Sequence, residues 1–319
     1  MSLGSLLGFA LVFVTVAWTL SALGALVLSG ASARLLRAGA MAERRAAEAV
    51  AIVPVVLALA AVAALVGQSA LGTDHCETHS HHAHLCLAHG AAWLDRAWVV
   101  ATLAGIAAVI AARVALLIAA AVRGTRSIAQ LRAVGTELGD VCVVDSDRGF
   151  CFVAGYRRPT IFVSTRAWGS LDEAERRALV AHEAAHVRQG DLGRRIWIEA
   201  LLVLAAPLVA DRVRAAWMTA TERLCDARAV EATGEPAAVA SAMVSLCRMN
   251  VSRPAGAFGF TPAAEQLAQR VRAVLTGAPV GHRTAVILWR TVVVGAAVLV
   301  GFAALAAEPL HHAFETLLG

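Results

Sequence analysis

The sequence predicts a mostly α membrane protein: four transmembrane helices carrying a small α+β domain on their cytoplasmic side. Three observations predict it. Hydrophobic residues make up 59% of the 319 residues and charged ones only 16%, against roughly half and a quarter in ordinary soluble domains. Four apolar runs approach or exceed the ~20 residues that cross a hydrocarbon core. The basic residues are all arginine, and they are shared unequally among the loops that join those runs. The net charge of +5 therefore reads as membrane orientation. No basic surface is interleaved with aromatic residues, which argues against direct nucleic-acid binding.

The runs are Leu6–Ser29, Ala49–Val66, Trp98–Val122 and Thr291–Ala307. "ASA" at Ala31–Ala33 resembles a signal cleavage site. However, no positive n-region precedes the first run, which is longer than a signal core, so it reads as a retained span. Arg34, Arg37, Arg44 and Arg45 follow the first span, and Arg123, Arg126 and Arg132 follow the third. The loop at 67–97 holds only Arg96, and the tail after the fourth span holds none. The positive-inside rule then places the N-terminus outside and 123–283 in the cytoplasm, in a bacterial inner membrane. Residues 1–122 carry three spans, and 284–319 carry the fourth and a short outer tail. Arg290 is expected to snorkel to the cytoplasmic surface. Arg113 lies deeper in the third span and has two readings, snorkelling or a functional intramembrane charge.

Within 123–283, "VCVV" (Val141–Val144), "CFVAG" (Cys151–Gly155) and "TIFVS" (Thr160–Ser164) read as strands separated by turn residues. An exposed edge strand within Cys151–Ser164 would suit capture of an extended peptide. Ser170 and Glu173 fit a capping box that starts a helix at Leu171, with Gly190 as its stop. Helices are also expected from Pro236 to Arg248 and from Ala263 to Leu275. "SRPAGAFGF" (Ser252–Phe260) reads as a loop bordering the cleft.

The first of these helices carries "HEAAH". His182 and His186 are four apart and so share one face, where two imidazoles can grip one ion. Glu183 is placed as general base, because hydrolysis at a zinc site needs a carboxylate to take the proton of the activated water. The alternative is an ordinary helix with two histidines, since three fixed letters in five recur by chance. "TERLCDARAV" (Thr221–Val230) tips the balance. Glu222 offers a third ligand, and Asp226, one turn on, can fix a ligand histidine's tautomer. The segment Ile196–Ala210 is apolar, but it is short and contains Glu199 and Pro207. A crossing there would put His186 and Glu222, 36 residues apart, on opposite sides of the bilayer. It is therefore expected to be buried, membrane-apposed or re-entrant.

With "GYRRPTIFVSTRAWGSLDEAERRALVAHEAAH" (Gly155–His186), "ERLCDARAV" (Glu222–Val230), three spans before and one after, the chain resembles the BlaR/MecR-type membrane zinc metallopeptidases, the beta-lactam sensor-transducers. It shares H-E-x-x-H followed by E-x-x-x-D with other gluzincins, such as the prenyl-protein proteases. The resemblance implies a zincin-like metallopeptidase domain holding one catalytic Zn2+ on His182, His186 and Glu222. Glu183 would be the catalytic base, with Asp226 hydrogen-bonded behind a ligand. It also implies regulatory proteolysis, with cleavage of the protein itself or of a transcriptional repressor in signal transduction. Only Glu308–Gly319 follows the last span, so a beta-lactam sensing role is not expected and the likeness is to sensorless members. The expected surroundings are lipid bilayer and a cytoplasmic protein substrate, with the chain acting alone or as a homodimer.

The outer loop holds His75, His79, His81, His82, His84 and His89 together with Cys76 and Cys86. One reading is a second metal site that senses zinc or copper and regulates the enzyme, or that signals without proteolysis. The other is a polar loop closed by a Cys76–Cys86 disulfide that binds metal adventitiously. Cys142, Cys151, Cys225 and Cys247 are expected to be reduced on the cytoplasmic side. Cys225 reads as a small buried helix residue in preference to a nucleophile. Tyr156 and His282 are the candidate oxyanion donors, and nothing in the sequence chooses between them.

Overall fold

A computed structural model describes residues 3–70, 96–249 and 264–305. Two helices, α1 (Leu3–Gly30) and the short α2 (Ser32–Ala38), lead into α3 (Ala40–Ala70) and α4 (Ala97–Val134). The sheet follows, with β1 (Thr136–Leu138), β2 (Val141–Val144), β3 (Cys151–Ala154) and β4 (Thr160–Ser164). Then come α5 (Thr165–Ser170), α6 (Glu173–Gln189), α7 (Asp191–Val203), α8 (Pro207–Thr233), α9 (Pro236–Arg248), α10 (Ala264–Thr276) and α11 (His282–Leu305). Four of them, α1, α3, α4 and α11, are long and apolar enough to cross a membrane. The mostly α fold with four such helices and one small sheet agrees with the class read from composition. The His-rich loop with Cys76 and Cys86, the loop Ser252–Phe260 and the tail Glu308–Gly319 lie outside the described residues.

The sheet order is β1-β2-β4-β3. β2 runs parallel to β4, while β3 and β1 pair antiparallel with β4 and β2. Period-two alternation sends Val141, Cys151, Val153, Ile161 and Val163 into the main core with α6. Cys142, Val144, Phe152, Ala154 and Phe162 face Ile128 and Leu131 at the end of α4. Both sheet faces are thus covered, and β3 is an edge strand whose four residues are buried, not the exposed edge expected for an extended peptide. β1 went unread in the sequence because all three of its residues are exposed, so it shows no alternation.

Two expectations need correction. The α6 capping box is Asp172 with Glu175, not Ser170 with Glu173: Asp172 accepts from the Glu175 amide (2.8 Å), and Glu175 accepts from the Asp172 amide (3.0 Å). Leu171 is drawn into the core in extended conformation, so the cap falls two residues later than Ser170. Ser170 instead closes α5, its hydroxyl donating to Ala167 O (2.9 Å). Second, 196–210 is not one segment. α7 ends at Val203, and α8 starts at Pro207 in its first turn, where the missing N–H of proline does no harm. Arg113, deep in the third apolar run, is engaged by backbone. Its guanidinium donates to Leu202 O (2.6 Å), Val203 O (2.9 Å) and Ala205 O (2.8 Å). Leu202 and Val203 end α7, and Ala205 lies in the turn that leads to α8, so Arg113 ties this helix end to α4.

The start of α11 abuts the start of α3. Met41 N donates to Val280 O (3.0 Å), and Arg45 lies over the Trp289 ring (5.3 Å). Gly281 has φ +79, and a Cβ there would collide with the Ala38 carbonyl. Gly281→Ala is therefore expected to destabilise the fold by about 1–3 kcal/mol, read as a lower melting temperature of the detergent-solubilised protein.

Candidate metal centre

α6 places His182, Glu183 and His186 in the interior. It can end where it does because Gly190 adopts φ 66, ψ 32, a left-handed conformation that costs glycine little. The chain folds back at once, so Asp191 begins α7 directly beside the last turn of α6. α8 packs across α6 and brings in Glu222 and Asp226, one turn apart and both buried.

The donor atoms converge. His182 Nε2 lies 3.7 Å from Glu222 Oε2, and His186 Nε2 lies 3.8 Å from Glu222 Oε1. Each ring's other nitrogen is held by a carboxylate. His182 Nδ1 is 3.0 Å from Asp226 Oδ1, and His186 Nδ1 is 2.9 Å from Asp191 Oδ2. Carboxylates only accept, so each Nδ1 carries a hydrogen and each Nε2 is the nitrogen left for a metal ion. The two separations exceed a hydrogen bond yet fall short of two ~2.1 Å metal–ligand bonds end to end. Two imidazoles and a carboxylate in that spacing fit a zinc ion.

A second group, His186, Asp191 and Cys225, is also close enough to share an ion, but it fits less well. Asp191 is paired with Arg44 (2.9 Å), and His186 would have to use the nitrogen that Asp191 already holds. Burial also pushes the Cys225 thiol well above its usual pKa. Cys225 Sγ packs 3.3 Å from His186 Nδ1, as a small buried residue would. Cys142, Cys151, Cys225 and Cys247 form no disulfide.

Two arginines that the sequence reading passed over complete the centre. Arg270 of α10 donates to both Asp226 oxygens (2.7 Å each) and lies 3.1 Å from Glu222 Oε2. Arg44 of α3 pairs with Asp191 and donates to Gln189 Oε1 (3.0 Å). Of the candidate oxyanion donors, His282 Nε2 meets Arg228 Nη2 (2.6 Å), and Tyr156 is exposed, its ring edge near Gly193.

Electrostatics follow from these contacts. Burial opposes ionisation of Glu222, but the Arg270 charge and the two histidines outweigh it and hold the carboxyl well below its ordinary range. Burial likewise disfavours charge on His182, yet the Asp226 and Glu222 carboxylates beside it prevail and raise its pKa to about 9. Below that pH the metal-free ring holds a proton that a metal ion must displace. Zinc binding at pH 7.5 should release about one proton, and affinity should fall as pH drops. Calorimetry in two buffers of different ionisation enthalpy checks this; buffer-independent heat would contradict it.

Residues 124–277 match the model of Peptidase family M48. Among curated proteins, the chain is 31% identical over 163 residues to a "Protease HtpX homolog" of Acidiphilium cryptum (strain JF-5), covering 39% of this chain and 56% of that protein. The chain thus spans about half the length of the curated relative it matches. No solved structure matches.

Proposed function

We propose, taking the match of residues 124–277 to Peptidase family M48 as the premise, that this chain is an integral membrane zinc endopeptidase with its active site on the cytoplasmic side. The convergence of His182 Nε2, His186 Nε2 and the Glu222 carboxylate, with Glu183 buried on the same helix, carries the reading. When bound, a zinc ion would supply Lewis acidity toward water and a peptide carbonyl. Glu183 takes the proton of the attacking water and returns it to the leaving amine. Asp226 and Asp191 keep the imidazoles in the tautomer that leaves Nε2 for the metal.

Chain direction and arginine placement support the cytoplasmic side. α3 and α11 both begin next to the centre, α3 supplying Arg44 and α11 abutting it at Val280. Arg34, Arg37, Arg44 and Arg45 cluster at that end, with Arg123, Arg126 and Arg132 in the last turns of α4, and arginine-rich ends face the cytoplasm. The finer reading is regulatory: like the BlaR/MecR-type peptidases, the enzyme would cut itself or a transcriptional repressor. Comparing the cytoplasmic proteins of cells expressing wild type and Glu183→Gln tests it. The expected result is one protein, a repressor on the regulatory reading, that persists uncleaved in the variant. Identical protein patterns, with a metal response that depends on His79 and His84, would favour a non-proteolytic metal sensor.

A further inference from the structure

Each histidine of the centre is backed by a carboxylate, and each carboxylate by an arginine from a different part of the fold. His182 is held by Asp226, and Asp226 by Arg270 of α10 in a two-pronged contact (2.7 and 2.7 Å). His186 is held by Asp191, and Asp191 by Arg44 of α3 (2.9 Å). Both arginines are buried. Arg44 is further fixed by Glu48 (3.2 Å) and Gln189 (3.0 Å), and its guanidinium lies against the Trp217 ring (5.9 Å).

We infer that Arg44 and Arg270 are positioning residues for the metal ligands, which makes metal affinity depend on the docking of α3 and α10 against the centre. The inference rests on the zinc-centre reading above. Guanidinium suits this role because its planar fork fixes a carboxylate in orientation as well as in place. A carboxylate so fixed aims the imidazole behind which it sits, and loss of such outer partners typically weakens metal binding about 10–100-fold. The two clamps differ in origin. Arg270 lies inside the segment that matches the family model, whereas Arg44 lies 80 residues before it, at the start of a helix long enough to span the membrane. The centre is thus partly built on a membrane helix. A displacement of α3 that withdraws Arg44 would free Asp191 and loosen His186 without touching the metal.

The test uses the full-length protein in detergent, with zinc dissociation constants measured against a chromophoric chelator and visible spectra recorded with Co2+ in place of zinc. The variants are Arg44→Lys, Arg44→Met, Arg270→Lys, Arg270→Met and, as a control on the centre, His182→Ala. The lysine variants keep the buried charge and remove only the fork. The expected result is wild-type helical content, zinc affinity weakened about 10–100-fold in the methionine variants and less in the lysine ones, and a changed Co2+ spectrum in each. Wild-type affinity and spectrum in all four arginine variants, with zinc lost in His182→Ala, would overturn the inference alone. Unaltered zinc binding in His182→Ala would overturn the centre and the inference with it. Loss of helical content in both substitutions at a site would show that the arginine holds the fold and not the ligands, and that also counts against it.

Discussion

Glu183→Gln is expected to lower the turnover of peptide cleavage by about 10²–10⁴-fold, the range for loss of a general base, while the protein keeps its zinc. The amide is nearly isosteric with the carboxylate, so α6 should pack unchanged around this buried position. What disappears is the ability to accept a proton. Because His182, His186 and Glu222 are untouched, metal content and affinity should match wild type. The split between lost cleavage and retained metal is the informative part. A variant that lost both would show that Glu183 supports the site structurally, and one that lost neither would remove it from the reaction. The measurement pairs zinc per chain with cleavage rate on the same preparation.

Glu222→Ala is expected to abolish cleavage by the opposite route, through loss of metal. Two imidazoles from one helix would remain, short of the three protein ligands of a catalytic zinc site. Zinc affinity should fall beyond the roughly 10–100-fold that attends loss of an outer hydrogen-bond partner. The fold should survive. Arg270 keeps both bonds to Asp226 (2.7 Å each), so the substitution leaves no buried charge without a partner, the situation that is most destabilising. A chelator titration and a thermal melt separate the two effects. Near-normal zinc affinity in Glu222→Ala would move the third ligand to another residue.

Much of this arrangement was legible in the sequence because it is local. His182 and His186 share a helix face by spacing alone, and so do Glu222 and Asp226, one turn apart. The long-range element, α8 crossing α6, was implied only by the need for a third ligand. The missed residues are those whose role depends on tertiary approach. Asp191 sits five residues after His186, and its signal was the pair Gly190–Asp191. A left-handed glycine that reverses the chain delivers the next side chain to the end of the helix it has just closed. Arg44 was absorbed into the count of positive charges near a membrane span, which accounts for its charge but not for its burial. Arg270 sits in a short helix with nothing in its neighbourhood to mark it. Arg113 was recognised as an unusual intramembrane charge, but its partners are backbone carbonyls at the end of α7 and in the turn after it, and these carry no signature in the sequence.

The membrane helices were predicted in place and drawn too short. Composition marks the apolar stretch but not the polar turns that continue a helix beyond it, as α4 does from Val122 to Val134 on the way to the sheet. The capping box was misplaced by two residues because "SLDEAE" offers both Ser170–Glu173 and Asp172–Glu175. Burial of Leu171 decides between them, and that is a property of the packed core.

The most direct test of the central claim is zinc-edge X-ray absorption on the purified full-length protein. Ligation by His182, His186 and Glu222 predicts a first shell of nitrogen and oxygen alone at about 2.0–2.2 Å, with imidazole outer-shell scattering. A sulfur scatterer at about 2.3 Å would place the ion on Cys225 with His186 and Asp191, and would contradict the account.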